Sequence, residues 1–136
     1  MKRLGNPPTH IKDFAHVHWV SWFKRITSIY EWQSPTFTNS WDNVGGSYYN
    51  AAYVKDAWNR VRLRGRIDTG ASTSAAFTLP AEFRPNATMH FVCDGTNNSG
   101  IATARVSITS SGVLTPTISG TSIEVSLDGI CFIAEA

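Results

Sequence analysis

The sequence predicts an all-β domain, an antiparallel β-sandwich of jelly-roll or Greek-key kind, preceded by an N-terminal helical arm. Three observations predict it. Apolar residues alternate with polar ones in short segments from Phe37 to the end of the chain. Gly70, Gly95, Gly100, Gly112, Gly120 and Gly129 punctuate those segments at about the 8–12-residue interval of hairpins and Greek keys. Only the stretch between Pro7-Pro8 and Pro35 shows helical spacing instead. At 136 residues the chain has room for one core and a short extension, and a charged fraction of 16% suits strands and turns better than long solvated helices.

The arm is taken as residues 1–36 and the sandwich as residues 37–136. Thr9 or Asp13 is available as N-cap, and no Gly or Pro interrupts the residues that follow until Pro35. Trp19, Trp22, Ile26 and Ile29 form an a/d seam, which Phe14, Val17, Phe23 and Tyr30 widen. Burying three or four such side chains at ~2 kcal/mol each is more than a lone helix of this length can arrange, so a partner surface is needed. That surface is either the chain's own sheet or another subunit, and Trp19, Trp22, Phe23, Ile26 and Ile29 are the candidate anchor or trimerisation residues.

Eight strands follow by alternation, near residues 52–55, 61–69, 75–79, 90–94, 101–108, 113–118, 122–127 and 129–134. In the second, Val61, Leu63, Gly65 and Ile67 share one face, and Arg60, Arg62, Arg64 and Arg66 share the other. Neighbours in that row stand ~6.7 Å apart and repel by only about 0.6 kcal/mol in water, so the row needs no ligand to exist. It is either a solvated or cross-strand-paired face, or a contact for an anionic partner such as an acidic glycan, a phosphate backbone or a neighbouring capsid protein.

A formal net charge of +2 is too small for a whole-surface nucleic-acid signal, so no nucleic-acid partner is expected. Lys12, Asp13, His16 and His18 break the apolar start, so neither a signal peptide nor a membrane span can be drawn, and membrane insertion is not expected. Cys93 and Cys131 lack C-x-x-C spacing and read as buried, reduced thiols, and the histidines show no metal-ligand pattern. No metal or cofactor is expected.

Asp68-Thr69-Gly70 spells the catalytic aspartate of pepsin-like and retroviral proteases, whose chemistry needs two carboxylates sharing one proton. A single copy requires a homodimer. The residues ahead of it, Gly65-Arg66-Ile67, are not the apolar run that delivers such an aspartate. In the only later candidate for a buttress, Asp128-Gly129, an acid stands where an apolar residue belongs. The segment reads instead as a turn in which Gly70 supplies a positive φ. A homodimeric aspartic protease using Asp68 remains the enzyme alternative to a chain that performs no chemistry.

The order Phe37-x-Asn39-x-Trp41, Tyr53-x-Lys55-Asp56, Val61-x-Leu63-x-Gly65, Leu79-Pro80-x-x-Phe83-Arg84-Pro85 and Leu127-x-Gly129-Ile130-x-Phe132 resembles a pattern at the C-terminal ends of bacteriophage tail-fibre and minor structural proteins. It covers about residues 37–132 and departs at Glu82, where the family often has glycine. The resemblance implies a β-sandwich, commonly trimeric, displayed on a virion for attachment or as a structural knob. Trp41, Lys55, Asp56, Leu79, Pro80, Arg84 and Pro85 are its structural marks. Arg84 is expected to clamp backbone carbonyls or Asp56.

The sequence thus leads to a virion structural protein of a tailed bacteriophage, made in the host cytoplasm. It is expected to be a homotrimer that contacts other virion proteins and a host surface glycan. Trp58, Tyr48, Tyr49 and the arginine row are the candidate contacts. A capsid decoration or head-fibre protein is the alternative placement.

Overall fold

A computed structural model of the chain describes residues 31–135. The anchor residues Trp19, Trp22, Phe23, Ile26 and Ile29 lie outside the described residues. Residues 31–36, assigned to the arm, are extended rather than helical. The Gln33 and Tyr53 backbones exchange hydrogen bonds of 2.8 and 2.9 Å, because the bare edge of the neighbouring strand satisfies amides that Pro35 denies to a helix.

Among the described residues, ten strands form two antiparallel sheets. They are β1 (Asp42–Asn43), β2 (Ala52–Lys55), β3 (Arg60–Arg64), β4 (Arg66–Asp68), β5 (Phe77–Thr78), β6 (Met89–Asn97), β7 (Gly100–Ile108), β8 (Val113–Thr117), β9 (Glu124–Ser126) and β10 (Cys131–Ile133). The larger sheet runs β1-β4-β9-β6-β7-β8-β5 and the smaller β10-β3-β2. Within the larger, β6, β7 and β8 follow one another, and β9 returns to the free side of β6. This is the Greek-key order that the spacing of turn signals suggested. The seven-to-three division differs from a jelly roll, whose eight strands make two Greek keys. The one helical element among the described residues is the 3-10 turn Ala81–Phe83.

The alternation seen in the sequence is cashed out as a core shared by both sheets. Val61 and Leu63 of β3, Phe132 of β10 and Tyr53 of β2 meet Ile67, Val106, Leu114 and Val125 of the larger sheet. Burying each large side chain contributes roughly 1.5–3 kcal/mol. Phe91 and Phe132 approach across the sheets at 6.1 Å between centroids, and Tyr53 meets Phe83 edge-on at 4.9 Å.

Two glycines within the strand pattern depart from the sequence reading. The segment predicted as one strand over residues 61–69 is broken at Gly65, where the chain passes from the smaller sheet to the larger. Gly65 has φ +105, and a Cβ there would lie 2.5 Å from the Ala51 backbone nitrogen, so only glycine fits. Gly95, read as punctuation, lies inside β6 and pairs with Ala102 and Val125. Its missing side chain admits the tip of Ile118, which a Cβ would approach to 2.7 Å.

The family-like residues form a second set of supports. Arg84 Nε donates to the Leu79 carbonyl at 2.8 Å, the backbone option of the two expected for it. Lys55 Nζ donates to the Glu82 carbonyl at 2.6 Å and lies over the Phe83 ring. Glu82 itself sits in the 3-10 turn without a positive φ, so the departure from glycine there costs no backbone strain. Trp41 is buried with Nε1 donating to Ser74 Oγ at 2.9 Å, and its indole covers Gly70.

Gly70 is therefore not the positive-φ residue of its turn. Thr69 takes that conformation at φ 61, and its Oγ1 donates to the Ser40 carbonyl. Gly70 is required for space instead, since a Cβ would meet Trp41 Cδ2 at 2.0 Å. Gly70→Ala is expected to cost about 3 kcal/mol of stability by denaturant unfolding. In a Trp41→Ala background the same change should add less than about 1 kcal/mol, because the collision is gone.

Candidate functional site

The outward positions of β3 are Arg60, Arg62 and Arg64, and the structure gives each a different environment. Asp56 caps the tight connection from β2: Oδ1 accepts from the Trp58 and Arg60 amides at 2.9 and 3.0 Å, and Oδ2 accepts from Arg60 Nε at 2.7 Å. Arg60 is thus neutralised, and its guanidinium lies 5.6 Å from the Trp58 ring. Trp58 is presented at the turn, 71% exposed.

Arg66 does not continue the row. Beyond Gly65 it lies on the outer face of the larger sheet, where it is 8% exposed and bonded to Glu124 at 2.8 Å and Asp94 at 3.0 Å. Of the readings offered for the row, Arg66 fits the cross-strand-paired one, since Glu124 lies on the adjacent β9. The alternation continues through Gly65, but the face it defines changes sheets. The Tyr48 ring covers Arg66 at 5.0 Å, and the Arg66 amide donates to the Tyr49 carbonyl at 3.1 Å. Arg66, one of the candidate contacts, thus fastens the loop that carries both tyrosines.

Arg64 stands at the far end of β3 from Trp58, about 13 Å along the strand at the usual rise per residue. Its guanidinium lies against two rings, Trp32 at 4.2 Å and Tyr49 at 4.7 Å. Nε is closed beneath the rings without an acceptor. Trp32 and Arg64 also form a wall common to two clefts. One, of about 500 Å³, is lined by Tyr48, Tyr49, Gly45 and Gly46, and the other, of about 300 Å³, by Arg62, Gly129 and Cys131.

Of the residues proposed from sequence, the structure therefore brings together Tyr48, Tyr49, Arg62 and Arg64, and leaves Trp58 and Arg60 at a separate turn. It adds Trp32, which the helical reading of the arm concealed. The Gln33 bridge to β2 is what lays Trp32 beside β3. A signal existed, since Pro35 ends any helix shortly after that tryptophan, but nothing local gives the register of the pairing.

Asp68 lies opposite Asp42 on β1 and Glu124 on β9. Burial first, then the Glu124 and Asp42 charges, raise its carboxyl above the ordinary value. Among the described residues, no three His, Cys, Asp or Glu side chains gather to hold a metal ion. No described helix is long and apolar enough to cross a membrane. Both cysteines are free: Cys93 is buried, which pushes its thiol up to about 11, whereas Cys131 is exposed, contrary to the expectation of two buried thiols.

Burial acts to raise the Asp56 carboxyl, but bonds from the Arg60 amide and guanidinium and from the Trp58 amide outweigh it and hold the carboxyl below its ordinary value. Its stabilisation is therefore present above the unfolded pKa and is lost as pH falls through the lower folded one. Asp56→Ala should cost about 2 kcal/mol near neutrality. The difference from wild type should shrink below roughly pH 4 in denaturant titrations at several pH values.

No protein-family model matches the chain, and no curated protein matches it in sequence. In fold, the chain is similar to the receptor binding protein (gp15) of Listeria phage PSA, with a TM-score of 0.65. The match spans 89% of this chain and 74% of that one, at 20% sequence identity.

Proposed function

We propose that the chain is a structural protein of a bacteriophage virion, a receptor-binding-like unit displayed as a homotrimer that touches glycan on the host surface. The observation that carries this reading is the fold it has in common with a phage receptor binding protein over most of both chains. Two further features support it. The order of marks from Phe37 to Phe132 is similar to the phage tail-fibre pattern. The clefts beside Trp32 also present what a sugar needs: flat rings for its C–H faces and hydrogen-bonding groups at the rim.

In this reading the β-sheets form a rigid mount, and the loop of residues 44–51 sets Tyr48 and Tyr49 at the surface, 51% and 68% exposed. Exposed aromatic side chains with few rotatable bonds lose little entropy on contact, and so suit repeated, weak attachment multiplied by several copies. The motif residues Lys55, Arg84 and Trp41 act within the mount.

The test is binding of the fluorescently labelled full chain to a panel of bacterial strains, alongside sedimentation. The expected outcome is strain-dependent labelling, reduced at least tenfold in affinity by the Tyr48→Ala/Tyr49→Ala pair, from a particle of three subunits. Labelling of no strain would remove the receptor-binding role, and a monomer at all concentrations would remove the trimer.

A further inference from the structure

Within the arginine row, Arg62 and Arg64 have no carboxylate partner among the described residues. The ion pairs among the described residues use Arg60 and Arg66, and none uses Arg62 or Arg64. The one acid that lines the smaller cleft, Asp128, is already engaged, since Oδ1 accepts from the Gly65 amide at 2.8 Å and Oδ2 from Ser126 Oγ at 3.3 Å. It holds the crossover in place rather than balancing the arginines.

Stacking restricts what Arg64 can take. With the Trp32 and Tyr49 rings both against the guanidinium and Nε enclosed without an acceptor, the terminal N–H groups are the donors left to reach a ligand. In-plane N–H groups in a fixed fork match the oxygens of a carboxylate or a phosphate. Arg62, two residues away on the same face, lines the second cleft beyond the Trp32 wall. The surroundings limit the length of anion accepted. Past Tyr48, the larger sheet carries Asp94, Glu124, Asp68 and Asp42, so a long polyanion running that way meets like charge. That disfavours a nucleic-acid strand, which needs a continuous basic track.

We propose that the two clefts flanking the Trp32–Arg64 stack take a short stretch of an acidic saccharide, with sugar rings on Trp32 and Tyr49 and its carboxylate or phosphate held by Arg64 and Arg62. The proposal rests on the host-glycan reading above and adds the charge of the ligand to it. It also separates the sites: Trp58 at its distant turn is not part of this one.

The experiment uses the full chain and wall glycan from a strain that it labels, split by anion exchange into acidic and neutral fractions. The acidic fraction is expected to compete for cell binding and the neutral one not. Arg64→Gln and Arg62→Gln should each weaken binding roughly 10- to 100-fold, the range for charge-assisted hydrogen bonds. Arg105→Gln, on the exposed outer face of the larger sheet, should leave it unchanged.

Unfolding midpoints check that the Arg64 and Arg62 variants remain folded, and Arg64→Lys, which keeps the charge but loses the fork, should not restore affinity. Reducing the carboxyl groups of the active fraction, or cleaving its phosphodiesters with hydrofluoric acid, tells which anion is read. If competition resides in the neutral fraction, or folded Arg64→Gln binds like wild type, the acidic-ligand proposal falls while receptor binding stands. Equal competition by oligothymidylate would also overturn it, in favour of a general polyanion surface.

Discussion

Residues 60–68 belong to both sheets, and the fold depends on how their backbone passes Ala51 at Gly65. The approach there leaves no room for a Cβ, and it is fixed on two sides, by the Asp128 carboxylate on the Gly65 amide and by the Leu127 amide on the Gly65 carbonyl. Through this point Val61 and Leu63 enter the core from one sheet and Ile67 from the other. A continuous strand would have kept all of them in a single layer, with no second sheet to close over the apolar side.

The same crossing separates the arginines. Three remain on the smaller sheet, while Arg66 is carried to the outer face of the larger, where two carboxylates and a tyrosine ring fill its surroundings. Fixing Arg66 fixes the loop before β2, since its amide and carbonyl pair with Tyr49 and Val44. Structural and exposed parts of the arginine series are thus linked: the buried member orders the loop whose Tyr49 ring lies on Arg64.

Much of the fold was legible in the sequence because alternation and turn residues report directly on strands whose two faces meet different media. The hairpin of β6 and β7, the corner at Leu79-Pro80 and the clamp of Arg84 are local matters, and they are found near where the pattern puts them. What the pattern does not contain is the partner of each strand. A break at Gly65 looks the same in sequence as a glycine tolerated within a strand, and Gly95 is the opposite case, a glycine that interrupts nothing. The candidate site suffered most from this. Tyr48, Tyr49 and Arg64 were visible as exposed residue types, but Trp32 joins them only through the pairing of Gln33 with Tyr53, a contact 20 residues apart in sequence that no local spacing encodes.

The margins of the sheets bear on how separate molecules meet. The outermost strands of the larger sheet, β1 and β5, are two residues each, and those of the smaller, β10 and β2, are three and four. Unpaired amides in rows this short give a neighbouring molecule little template for adding its own strand. Short borders of this kind restrain edge-to-edge aggregation without a strongly charged exterior.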